Sequence, residues 1–207
     1  MGSGIGLASG FGKLGQFGMQ QPVVAVVGDS TFFHAALPAL VNAIHHQADI
    51  TIVVLDNSGT AMTGFQSHPG LAVDAAGRDA PAIDAVKLCQ AMGATVRVSD
   101  PFEPDKTSQN LFELFEIKGL KVLVLKQMCA LSPEKKAKKM FDVSVDENVC
   151  IGQDCGCNQL CTRIFKCPGL NWDKDKRVSS IDEVICVGCG MCASVCPSGA
   201  IRKKEVA

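Results

Sequence analysis

The chain has 207 residues, 47% hydrophobic and 20% charged, with a formal net charge of −1. That is enough apolar material for one medium and one small core, and a charge balance that excludes nucleic acid or an anionic membrane as the main partner. No apolar run is long enough to span a bilayer, and Met1-Gly-Ser-Gly-Ile-Gly-Leu7 lacks the basic start and cleavage site of a signal peptide. Residues 1–130 read as α/β. Segments 23–27, 50–55 and 122–125 are short apolar runs rich in β-branched residues, as in parallel strands buried on both faces, with 94–98 a weaker fourth. Helical stretches lie between them. One starts near Pro38 and runs through Leu40, Val41 and Ile44. A second covers 82–92, closed by Gly93, and a third covers 108–117, closed by Lys118-Gly119. This alternation predicts a doubly wound sheet with ligands at the carboxyl ends of its strands.

Two of those strand ends carry chemistry. Gly28-Asp29-Ser30 follows the first strand and Asp56-Asn57 ends the next strong one. A Gly-Asp at one strand end with an Asn at the next resembles the motif that binds thiamine diphosphate through Mg2+. Magnesium takes hard oxygen ligands in octahedral geometry and bridges carboxylates to phosphates. Asp29 would supply a carboxylate oxygen, Asn57 an amide oxygen and Gly59 a backbone carbonyl. Gly28 would let the backbone approach the diphosphate, and the turn at Ser30 would offer N–H groups to it. Ser30 departs from the motif, which has glycine there, and an ordinary strand–helix turn is the plainer reading of an isolated match.

The basic segment 132–140 reads as a solvated connector, with docking of an acidic electron acceptor as the sharper alternative. Beyond it the cysteines take over: nine of the chain's eleven lie between Cys150 and Cys196. Cys186, Cys189, Cys192 and Cys196, with Pro197 after the last, form the C-x2-C-x2-C-x3-C-P run of a bacterial [4Fe–4S] ferredoxin, whose fourth cysteine ligates a second cluster. The upstream set, Cys150, Cys155, Cys157, Cys161 and Cys167, offers five thiols for four positions. Cys161 and Cys167 are the firm members, while Cys150, Cys155 and Cys157 compete for the other two places. Such clustering indicates metal binding in a reducing, cytoplasmic compartment rather than a disulfide scaffold. Cys89 and Cys129 read as packing thiols.

The segment 28–34, the stretch 55–70 ending Thr60-Ala-Met-Thr-Gly-Phe-Gln-Ser-His-Pro-Gly70, and the paired cysteine motifs together resemble the alpha subunit of the indolepyruvate:ferredoxin oxidoreductases, within the 2-oxoacid:ferredoxin oxidoreductase family. The resemblance implies an α/β fold: a partial thiamine-diphosphate-binding parallel-sheet domain (1–131, N-terminally incomplete), a linker (132–145) and a small two-cluster [4Fe–4S] ferredoxin-like domain (146–207). It implies oxidative decarboxylation of an aryl 2-oxoacid with coenzyme A to acyl-CoA and CO2, and electrons delivered to ferredoxin. It implies thiamine diphosphate, Mg2+ and two [4Fe–4S] clusters as cofactors. The partners implied are a pyrimidine-binding domain or subunit not found here and a second, beta subunit. Met62 would lie against the cofactor, and His34, Gln66 and His68 would orient substrate or move protons. Phe32 and Phe33 read as core or as an apolar wall for an aryl side chain, and His45 and His46 as surface residues. A ferredoxin-type subunit that only docks to a larger complex is the alternative. A thiamine decarboxylase without redox function is disfavoured by the cysteine motifs.

Overall fold

The computed structural model describes residues 2–132, 139–152 and 156–206. Most of the basic connector, together with Cys155, lies outside them. The chain divides into two compact units, Met1–Cys129 and Ala130–Ala207.

The first unit is built on four parallel strands, β1 (Val24–Gly28), β2 (Ile50–Asp56), β3 (Thr95–Ser99) and β4 (Leu120–Lys126), in the order β1-β2-β4-β3. The two central strands are buried on both faces, which is why their sequences are mostly apolar, with Thr51 and Lys121 the buried polar exceptions. Ile52, Val54, Val122 and Val124 face a cluster containing Ile5, Ala8, Phe32, Ala36, Leu40 and Cys89. Val53 and Leu123 face the other way and pack on Leu114. Phe32 is fully buried in the larger cluster, so its truncation to alanine would cost about 3–5 kcal/mol. Cys89 is likewise fully buried, and burial pushes its thiol up to about 11, in keeping with a packing role. His45 and His46 are exposed, as expected of surface residues.

The strands fall where the sequence places them, but the first long helix begins earlier than Pro38. Helix follows directly on β1, as α1 (Asp29–Thr31), a π-helical turn (Phe32–Ala36) and α2 (Leu37–His45). Pro38 has no N–H to donate, and the widened turn just before it absorbs the missing bond, so the helix continues through a residue that normally marks its start. The next helix, α3 (Ala85–Ala91), is capped by Asp84, which accepts from Val86 N at 2.8 Å and Lys87 N at 3.1 Å. The last, α4 (Pro104–Phe115), starts at a proline in its first turn, ahead of the expected residue 108.

The second unit holds two antiparallel pairs, β5 (Phe141–Val145) with β8 (Ile201–Glu205) and β6 (Leu170–Asp173) with β7 (Val178–Ile181). The expected linker 132–145 therefore ends earlier. Phe141, Val143 and Val145 alternate toward the core, and the segment pairs with the end of the chain. That core has Val143, Leu170, Cys192 and Ile201 buried, and four further cysteines are among the partly buried residues around them. So few aliphatic side chains contribute little stability on their own. Among the described residues no helix is long and apolar enough to cross a membrane.

Candidate cofactor and metal sites

Asp29 stands at the carboxyl end of β1, where the strand turns into helix, and is only 4% exposed. Its Oδ1 accepts from Ser30 N at 2.7 Å. Its Oδ2 accepts from Asn57 N at 3.0 Å and Gly59 N at 3.3 Å, both just past the end of the neighbouring strand β2. The two strand ends singled out in the sequence are thus tied through one carboxylate. The Asn57 loop is also held from its other side: Gln127 N and Cys129 N donate to the carbonyls of Asp56 and Asn57, each at 3.0 Å.

The side-chain oxygen of Asn57 is buried and has no hydrogen-bond partner. Native structures rarely leave such an acceptor idle, and a bound cation is one of the standard reasons. A buried carboxylate beside an idle amide oxygen is the hard-oxygen donor set that Mg2+ takes. The Gly59 carbonyl accepts from Ala61 N at 2.8 Å, which leaves it a second lone pair. A Cβ at Gly28 would meet nothing within 4 Å, so the backbone there is open to close approach.

His68 is brought to the same place from the loop after β2. Its Nε2 lies 3.2 Å from Asp29 Oδ2, and its ring stacks on Phe33 with centroids 5.6 Å apart. That separation would suit an ion pair, yet Nε2 makes no well-aligned hydrogen bond. Because Nδ1 accepts from Gly70 N at 3.1 Å, the ring is a neutral imidazole whose proton sits on Nε2. The contact is therefore an N–H facing a carboxylate, not a salt bridge. The other two expected catalytic residues are not among the groups that meet Asp29. His34 is exposed on the π-helical turn. Gln66 is exposed too, and its amide is spent on Thr63, accepting from Oγ1 and donating to the carbonyl, each at 2.6 Å. Met62 is 98% exposed at the tip of that loop.

Beside His68 opens a cleft of about 340 Å³, walled by Phe33, Asp56, Asp84, Lys87 and Lys126. Sequence reasoning missed Lys87 and Lys126, which no motif marks. A second cavity, with Phe11, Pro22, Asp49, Lys118 and Lys121 in its walls, lies at the amino ends of the strands, the end open parallel sheets do not use for ligands.

In the second unit the thiols gather in two groups. Burial and then the neighbouring Cys189, Cys167 and Cys186 push the Cys192 thiol up to about 12. These are the three cysteines of the downstream run together with the last of the upstream set. Four thiols gathered this way are a donor set suited to a soft metal cluster. Cys150, Cys157, Cys161 and Cys196 line one common cavity. Burial raises the Cys161 thiol, and the nearby charge of Cys196 adds to it, while the Ser179 hydroxyl pulls the other way. Burial also works to raise Cys196, but the Ser198 hydroxyl and the N–H groups of Ile201, Ala200 and Ser198 outweigh it and hold that thiol below its usual range. No three described His, Cys, Asp or Glu side chains close around a single metal ion, and corner ligands of a cubane stand wider apart than those of a mononuclear site. Cys129, in the first unit, is a half-buried thiol.

Comparison with known proteins agrees with both halves. Residues 1–125 match the thiamine pyrophosphate enzyme C-terminal TPP binding domain, and residues 180–202 match the 4Fe-4S binding domain. The indolepyruvate oxidoreductase subunit IorA of Pyrococcus horikoshii is 38% identical over 98% of this chain and 33% of its own length. The IorA subunit of Methanothermobacter marburgensis is 37% identical over 98% and 31%. The chain thus spans about one third of the length of these relatives. A solved 2-oxoglutarate:ferredoxin oxidoreductase from Magnetococcus marinus, with 2-oxoglutarate, coenzyme A and succinyl-CoA bound, has the same fold. It superposes with a TM-score of 0.50 at 18% identity, covering 62% of this chain and 45% of that one. With well over half of its length matched, the chain belongs to the thiamine pyrophosphate enzyme family through its C-terminal TPP binding domain, and carries a 4Fe-4S binding domain after it.

Proposed function

We propose that this chain is the diphosphate-binding and electron-handling part of an indolepyruvate-type 2-oxoacid:ferredoxin oxidoreductase, working in the cytoplasm with a pyrimidine-binding domain or subunit and a beta subunit. The observation that carries this reading is the buried Asp29 carboxylate clamped to the Asn57 loop beside an idle Asn57 oxygen. A cation and its anionic ligand held at the strand ends would use both the carboxylate and the idle oxygen. The similarity to IorA subunits along nearly the whole chain supports the choice of reaction.

Asp29, Asn57 and the Gly59 carbonyl would hold Mg2+, and Gly28 and Ser30 would border the diphosphate. When bound, thiamine diphosphate supplies the electron sink for decarboxylation, and the clusters supply one-electron carriers. Cys186, Cys189, Cys192 and Cys167 would hold one [4Fe–4S] cluster. Cys196 and Cys161 would hold the other, with two of Cys150, Cys155 and Cys157; of these Cys150 and Cys157 line the cavity that Cys161 and Cys196 share. Phe33 and the cleft beside it would border an aryl 2-oxoacid, with Lys87 and Lys126 able to attract its carboxylate, and coenzyme A would take the acyl group. Met62, fully exposed, is free to close on the cofactor from the loop tip.

The test combines the chain with the complementary pyrimidine-binding and beta subunits and follows viologen reduction by indolepyruvate and coenzyme A. Reduction that requires this chain, Mg2+ and thiamine diphosphate is expected. Viologen reduction that proceeds without thiamine diphosphate would favour a ferredoxin-type docking subunit and refute this reading.

A further inference from the structure

We infer that His68 is a positioning residue for Asp29, fixing which carboxylate oxygen is presented to the cation; this rests on the metal–diphosphate reading above. The His68 side chain is 1% exposed, and its Nε2–H faces Asp29 Oδ2 at 3.2 Å. Oδ2 also meets the N–H groups of Asn57 and Gly59. Two N–H groups therefore bond one oxygen and the imidazole edge faces it, while Oδ1 accepts from its own neighbour, Ser30 N. Oδ1 keeps the freer lone pair and is the oxygen left for a metal.

The ring has little freedom to do anything else. Gly70 N fixes Nδ1 as an acceptor, which leaves Nε2 able only to donate. Phe33 lies stacked on one face at an interplanar angle of 21°. Gly70 completes the clamp, because a Cβ there would stand 2.6 Å from Phe33 Cε2 and 3.0 Å from His68 Cε1. A histidine packed this tightly, with its polar edge on the carboxylate, orients a ligand rather than reaching out to a substrate.

Two substitutions separate this role from a merely structural one. The amide nitrogen of His68→Gln reaches the place of Nε2 and can donate to Asp29. The side chain of His68→Asn ends near the place of Nδ1, so it can accept from Gly70 N but cannot reach Asp29. Mn2+ is titrated into the 207-residue chain with thiamine diphosphate present, free Mn2+ is read by electron paramagnetic resonance, and melting curves check that each variant folds. His68→Asn is expected to weaken Mn2+ about 10- to 100-fold, with His68→Gln restoring most of the affinity. If His68→Asn binds like the wild type, or His68→Gln is as weak as His68→Asn, the positioning role is overturned while a weakened Asp29→Asn leaves the metal site standing. If the wild type does not bind Mn2+, or Asp29→Asn binds it equally well, the metal reading falls and the inference with it. Should His68→Asn fail to fold, Gly70→Ala displaces the ring without deleting it; weakened Mn2+ supports the role, and unchanged Mn2+ overturns it.

Discussion

Asp29 does two jobs, and substitution should separate them. Asp29→Ala removes the acceptor for Asn57 N and Gly59 N, held at 3.0 and 3.3 Å in a loop where Gly59 is buried. Each buried donor left unsatisfied costs about 1–3 kcal/mol. Against that, the variant removes a buried carboxylate that no Lys or Arg pairs with among the described residues, which returns part of its desolvation cost. Two lost acceptors outweigh that relief, and the expected net loss is about 2–4 kcal/mol. For a unit of this size that lowers the melting temperature by about 8 °C or more. Asp29→Asn keeps an oxygen for the loop N–H groups, so it should melt within about 1 kcal/mol of the wild type. It should nevertheless lose the stabilisation that Mg2+ with thiamine diphosphate gives the wild type, about 2.7 kcal/mol at a hundredfold excess over Kd. Calorimetry of the three proteins with and without the pair of ligands measures both effects. An alanine variant as stable as the wild type would refute the claim that this carboxylate ties the two strand ends together. An asparagine variant still stabilised by the ligands would refute its role in holding the metal.

Lys121 is buried and paired with Asp49, which Lys118 also meets at 3.0 Å. Asp49→Ala should cost about 2–3 kcal/mol, below the range for fully buried pairs because Asp49 is partly exposed, whereas Lys121→Met should be neutral or stabilising by urea unfolding. Burial works to raise the Asp49 carboxyl, but Lys121 and Lys118 outweigh it and hold it below the ordinary carboxylate value. The pair's contribution is therefore complete above that unfolded value and is lost as pH falls through the lower folded one, so Asp49→Ala and wild type should converge in stability under strongly acid conditions. In the second unit the purified protein should hold about eight irons. Cys196→Ser should damage the cluster shared with Cys150, Cys157 and Cys161 more than the one of its own motif, and Cys167→Ser the reverse; low-temperature spectra of the reduced proteins tell them apart. Cys150→Ser and Cys157→Ser should each lower the iron count, since both thiols line the cavity shared with Cys161 and Cys196, and a full count in either variant would remove that residue from the ligand set.

What could be read from the sequence follows from where local chemistry and tertiary position coincide. The runs 50–55 and 122–125 announce themselves because both faces of β2 and β4 are covered, so only the small β-branched Thr51 interrupts them. At β1 the signal was nearly as clear for a different reason: Ala25 and Val27 are buried while Val24 and Val26, at 41% and 62% exposure, remain apolar on the open face. Asp29 and Asn57 could be found because parallel strands bring their carboxyl ends together, so two strand-end residues distant in sequence become neighbours without any loop having to be predicted. The helix following β1 was hidden because its first turns read Asp-Ser-Thr-Phe-Phe-His, which resembles a turn, and because Pro38 mimics a helix start. His68 was found only as a candidate. Its partner is fixed by the path of an irregular loop, and residue type alone could not distinguish it from His34, which ends in solvent. The cysteines show the same limit. Spacing defines the downstream run because a cubane's corners impose it, but the upstream run is spread over a loop and a π-helical turn, Cys161–Phe165, where spacing no longer dictates position. There the described thiols Cys150 and Cys157 line one cavity alongside Cys161 and Cys196, while Cys155 lies outside the described residues.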